Sequence, residues 1–133
     1  MINNSSTFLL LRLAVGMSMF GHGFVRVFKL AKFSEWMLGK YENSLLPAAL
    51  VKPFSYALPI IELVIGVLII IGLFTRQALL VGGITMVILI FGSCMIEDWG
   101  GIPSQMIHTF FFALLLSNLN HNSYAVDSAS KKQ

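Results

Sequence analysis

Five side chains that could carry chemistry lie inside long apolar runs: Arg12, His22, Arg26, Glu62 and His108. An ionisable group inside an apolar run is costly unless it is paired or reached by water, so it marks a site or a structural tie. A carboxylate beside histidines can move protons, because both groups exchange them near neutral pH when neighbours tune them. Glu62 and His22 are therefore the candidate proton-transfer groups. His22, Arg26, Glu62 and His108 together form a candidate pocket for a quinone headgroup, which needs a hydrogen-bond partner at each carbonyl and a route for protons. Arg12, Arg26, Glu62 and Arg76 are the candidates for a structural ion pair that fixes helix register, the main alternative to a reactive site. Two histidines on facing helices could also ligate haem, but no supporting shell around them is legible. No metal site is read from the sequence. A third functional reading is transport coupled to a proton on Glu62.

The elements that position these residues follow from the scarcity of charge. The chain has 133 residues, is 56% hydrophobic and only 11% charged, with a net charge of +3. Soluble domains carry about 25% charged residues. Four apolar stretches stand out, Phe8–Phe28, Phe54–Phe74, Ala78–Ile96 and Ser104–Leu119, and only Arg12, Arg26 and Glu62 break them with charge. About 20 apolar residues span a bilayer core as helix, and the runs lack the alternation of barrel strands. The expected fold is all-α: a transmembrane four-helix bundle with a short amphipathic interfacial helix between the first and second helices. Residues 1–119 form the membrane domain, and residues 120–133 form a polar tail expected to be disordered. Met1–Thr7 holds no Lys or Arg, so the first run reads as a retained helix rather than a cleaved signal.

Spacing fixes which faces look inward. Arg12, Gly16, Met19, Gly23 and Arg26 recur at intervals of 4, 3, 4 and 3, which keeps them on one line of a helix. The glycines let a second helix approach closely. Ser55, Pro59, Glu62 and Gly66 share a face of the second long helix, and Gln105, His108, Thr109 and Phe112 a face of the last. At 1.5 Å per residue, His22, Glu62 and His108 reach similar depth on one side of the bilayer, with Arg26 above them and Glu97 and Asp98 at the border. Arg12 lies in the other half, near Arg76. In the first connection Phe33, Trp36, Met37 and Tyr41 recur at helical spacing, with Pro47 and Pro53 resetting the chain after them. Thr75 and Ser104 are expected N-caps. The bland readings stand beside these: histidines bonded within the bundle, glycines as packing, Cys94 as a buried small residue, and Phe110, Phe111 and Phe112 facing lipid or core.

The single cysteine excludes an internal disulfide and a dithiol redox pair, and no basic cluster suggests nucleic acid. Lys and Arg are nearly balanced across the two sides: Arg12, Arg76, Lys131 and Lys132 against Arg26, Lys29, Lys32, Lys40 and Lys52. Charge therefore does not set the orientation.

Several short motifs, in order, resemble the DoxX family of small bacterial membrane proteins. Arg12-Leu13-Ala14-Val15-Gly16 and Gly21-His22-Gly23-Phe24-Val25-Arg26 are similar to its R-x-x-x-G and H-G-x-x-K pattern, with Arg26 in place of Lys. Pro59-Ile60-Ile61-Glu62-Leu63-Val64-Ile65-Gly66, running on to Gly72-Leu73-Phe74-Thr75-Arg76, resembles its E-x-x-x-G and G-L-x-T-R signature. The resemblance runs from about Phe8 to Leu119, and the Pro103–His108 segment looks like a subgroup feature. It implies a four-helix bundle in the bacterial cytoplasmic (inner) membrane with both termini in the cytoplasm. It also implies a redox association, since DoxD-like members are subunits of a thiosulfate:quinone oxidoreductase that needs a second subunit. The partners expected are the lipid bilayer, a redox partner protein and a second copy of the chain in a homo-oligomer. The alternative role is a non-catalytic membrane scaffold or assembly protein.

Overall fold

A computed structural model describes residues 4–129, and among them every regular element is helical. The helices are α1 Ser5–Val27, α2 Leu30–Tyr41, α3 Ala48–Ile71, α4 Thr75–Met95 and α5 Ile102–Leu116. A single 3₁₀ turn, Leu119–His121, and a short α6, Val126–Ala129, follow. α1, α3 and α4 are long and apolar enough to cross a membrane, and α5 is a shorter apolar helix.

The inward faces follow the spacing. Arg12, Gly16, Met19 and Gly23 of α1 are all buried. So are Ser55, Pro59, Glu62 and Gly66 of α3. α1 packs most extensively on α3 and α4 on α5, while α2 lies against α3. In lipid no hydrophobic drive holds apolar helices together, so close packing and polar ties must do it. Two glycines make that packing possible. A Cβ at Gly23 would sit 2.6 Å from Leu63 Cα and Pro59 O, and one at Gly66 would sit 2.6 Å from Phe20 Cα. These contacts run in opposite sequence directions, so α1 and α3 are antiparallel. Phe8, Met19, Ile69, Leu79, Phe112 and Leu115 fill the main core.

Several termini differ from the sequence expectation. α3 begins at Ala48, so Pro53 lies inside it with Pro59 rather than resetting the chain. Membrane helices tolerate proline where neighbours or side chains satisfy the freed carbonyls. Nearby, the Ser55 hydroxyl bonds the Lys52 carbonyl at 2.6 Å and Ser34 of α2 at 2.7 Å. Ser104 is not a cap, because α5 starts at Ile102 and Pro103 occupies its first turn. Thr75 does not cap α4 with its own hydroxyl either. Asp127 supplies the acceptors instead, taking the N–H groups of Phe74 at 2.8 Å and Thr75 at 2.7 Å.

That capping residue belongs to the segment expected to be disordered. Residues 120–129 instead fold back over the α3–α4 turn. The Asp127 N–H donates to Gly72 O at 3.0 Å, and the Asn122 amide donates to Thr75 Oγ1 at 3.0 Å. Lys131 and Lys132 lie outside the described residues.

Candidate functional site

His22, Arg26, Glu62 and His108 line one cavity of about 270 Å³, walled by α1, α2, α3, α4, the start of α5 and the loop before it. Each is placed by a local feature. The close approach at Gly23 brings α1 within reach of α3 one turn below Arg26. Arg26 Nη1 then donates to both Glu62 oxygens, at 2.9 Å and 2.7 Å. Glu62 is buried, while 27% of the Arg26 side chain remains exposed. The Arg26 guanidinium also lies 4.8 Å from the centre of the Phe33 ring of α2, a cation–π contact.

The two histidines share Ser18. His22 Nδ1 is 2.9 Å from Ser18 O, and His108 Nδ1 is 2.8 Å from Ser104 O. A carbonyl only accepts, so each Nδ1 carries the proton. His108 Nε2 then accepts from the Ser18 hydroxyl at 2.8 Å when the ring is neutral. His22 Nε2 is left with a lone pair and no hydrogen-bond partner among the described residues. His22 is exposed and His108 half-buried. The rings stand 6.4 Å apart, edge to face.

Around these lie residues that sequence reading did not assign to the site. Lys40 of α2 bridges to Asp98 at 3.3 Å across the cavity's rim and sits 4.9 Å from the Trp36 ring centre. Ser93 and the Gln105 amide bond each other at 2.9 Å. Burial, reinforced by the Asp98 charge, raises the Tyr41 phenol above its ordinary pKa, so it stays a hydrogen-bond donor. Ser18 was legible one turn before His22. Lys40 and Tyr41 were not, because their place depends on how α2 folds back against α3. Glu97 adopts φ 55° and is exposed beside the cavity rather than lining it.

Four charged groups line the cavity, and they cancel in two pairs, Arg26 with Glu62 and Lys40 with Asp98. The interior therefore presents polar hydrogen-bonding groups and no net charge from these four. Among the described residues no three His, Cys, Asp or Glu side chains converge as a metal-binding group.

The other ion-pair candidates are elsewhere. Arg12 is buried at the far end of the α1–α3 interface and does not meet Glu62. Its Nη1 donates to Asn122 Oδ1 at 3.0 Å and its Nη2 to Tyr124 O at 2.6 Å, both from the C-terminal segment. Its Nε is buried with no hydrogen-bond partner. Arg76 is exposed and forms no ion pair with Glu62. The axial distance along α1 is the reason: Arg12 and Arg26 are separated by about 21 Å of helix at 1.5 Å per residue.

Compared with known families, the chain matches the DoxX model over residues 7–93. That match covers Arg12, His22, Arg26, Glu62, Thr75 and Arg76 and ends within α4, before His108. No curated protein and no solved structure matches the chain.

Proposed function

Because the chain belongs to the DoxX family, we propose that it is a multi-pass membrane subunit that supports quinone-linked redox chemistry with a partner protein. The observation that carries this reading is the convergence of His22, Arg26, Glu62 and His108 in one cavity whose charged groups cancel. A neutral ring with two carbonyl acceptors suits such a cavity better than an anion or a cation would. A bound quinone would supply two-electron, two-proton acceptor chemistry. The chain's own groups hold the ring and handle protons. His22 Nε2 is the open base. Gln105 and the neutral Tyr41 phenol are donors toward a carbonyl. Glu62, held by Arg26, keeps that guanidinium at the wall while Phe33 covers its face.

The same reading places α5 as the fourth crossing. Its 15 residues cover about 23 Å, short of the roughly 30 Å hydrocarbon core. The turn and 3₁₀ residues after it supply the rest. α2 then lies at the interface, with Trp36 and Lys40 at headgroup level. Both termini face the cytoplasm of a bacterial inner membrane.

The purified chain in lipid nanodiscs tests the proposal. It is expected to carry or bind a membrane quinone, and Glu62→Gln is expected to lower quinone-dependent turnover in membranes. If the protein binds no quinone and Glu62→Gln leaves membrane redox activity intact, the reading fails. The scaffold alternative draws on the Arg26–Glu62 pair alone. It expects a stable co-purifying partner, with Glu62→Gln reducing abundance rather than turnover.

A further inference from the structure

A second cavity adjoins the first. It measures about 290 Å³ and is lined by α2, the α2–α3 connection, the start of α3 and the end of α4. Apart from the Tyr41 hydroxyl, its lining side chains are apolar. Met37, Tyr41 and Leu89 belong to both cavities, so they form a shared wall between a polar chamber and an apolar groove. Gly92 makes the junction possible: a Cβ there would sit 2.5 Å from the Tyr41 hydroxyl oxygen. The outer edge of the groove is exposed, with Leu50 at 62% and Ile88 at 47%, and both lie on helices apolar enough to cross the membrane. Its mouth therefore faces acyl chains.

We infer that this groove holds the isoprenoid chain of a membrane quinone whose ring occupies the polar cavity, so the ligand enters sideways from the bilayer. The inference rests on the quinone reading of the polar cavity. Three features favour this occupant over a phospholipid. The groove adjoins the polar chamber across only the Met37, Tyr41 and Leu89 side chains, so a ligand with one polar ring and one apolar tail reaches both once these side chains shift. A phospholipid would bring an anionic phosphate, yet Arg26 and Lys40 are already paired with Glu62 and Asp98. The Tyr41 hydroxyl, at the junction, has no hydrogen-bond partner among the described residues, so it is open to a ring carbonyl placed there.

The test compares two radiolabelled probes on the full chain in nanodiscs: menadione, which is the ring alone, and the same ring carrying a two-unit isoprenoid chain. Wild-type protein is compared with Ile88→Trp and, from the opposite wall, Leu50→Trp. Both positions are exposed, so the larger side chains fill the groove without entering the core. The chain-bearing probe is expected to bind at least tenfold more tightly than menadione, and either variant is expected to remove most of that advantage. Menadione binding is expected to stay within twofold of wild type. If menadione binds but the advantage survives in both variants, the isoprenoid chain does not lie in the groove. That result overturns the inference and leaves the polar cavity's assignment standing. If neither probe binds wild-type protein, both fall together.

Discussion

Gly23→Ala is the smallest change that reaches the site through the fold. The added Cβ would lie 2.6 Å from Leu63 Cα and from Pro59 O, where ordinary contact begins at 3.4 Å. Both obstacles are backbone atoms in the middle of a helix, so no side chain can swing aside. α1 and α3 must separate locally by about 1 Å, and overpacking of this kind costs about 1–3 kcal/mol. The displacement falls one turn from Arg26, whose bonds to Glu62 are 2.7 and 2.9 Å long. Lengthened by that amount, they no longer count as direct hydrogen bonds. A hydrogen bond to a charged group contributes about 1.5–3 kcal/mol, and the partial exposure of Arg26 puts this one near the lower end. The expected loss is therefore about 3 kcal/mol in total, read by denaturant titration in mixed micelles. A double-mutant cycle separates the two parts. Arg26→Gln should cost about 2 kcal/mol in the wild-type background and less than about 1 kcal/mol beside Gly23→Ala, because the pair is already loosened. Unfolding of Gly23→Ala within about 0.5 kcal/mol of wild type would show that the helices do not have to part. An equal cost of Arg26→Gln in both backgrounds would show that the glycine contact does not hold the ion pair.

Glu62→Leu should fold better than Glu62→Ala. Both variants remove the partner of Arg26, whose partly exposed guanidinium can still reach water, but only alanine leaves a cavity as well; equal yields and equal unfolding midpoints for the two variants would contradict this. Tyr41 should ionise above its ordinary value near 10, because burial disfavours the phenolate and Asp98 adds to the effect. The raised folded-state value means this group's contribution is fully present below the unfolded value and lost as pH rises through the folded one. Tyrosinate absorbance of wild type minus Tyr41→Phe should show that late transition, and Asp98→Asn should move it part of the way back. A midpoint at or below the ordinary value would contradict the burial argument.

The parts legible in the sequence share one physical origin. Where the environment is lipid, a charged residue must face inward, so the positions of Arg12, Arg26 and Glu62 already fixed the buried faces of α1 and α3. The glycine spacing on those faces announced the close contact that the geometry displays. Depth along a helix is also simple arithmetic, and at 1.5 Å per residue it puts His22, Glu62 and His108 at one level. What could not be read was every contact made by elements whose placement is not set by periodicity. Reading α2 as an amphipathic helix correctly named its residues. It did not reveal that Phe33 lies under Arg26 or that Lys40 reaches Asp98, since a two-residue link permits many directions.

The C-terminal segment failed for the opposite reason. Its polarity signals disorder only when nothing needs those polar groups. Here a buried Arg12 needs acceptors, and a helix that starts in a left-handed residue, Phe74 at φ 49°, leaves N–H groups without a side-chain cap of its own. Asn122, Tyr124 O and Asp127 answer those needs. Arg12 and the polar tail were two separate oddities in the sequence, one an unexplained charge in an apolar run and the other an apparently structureless end. Each supplies what the other lacks. An ionisable residue in a membrane helix with no opposite charge on a neighbouring helix is therefore reason to look for its partners in the chain's polar terminus before assigning it to a reaction.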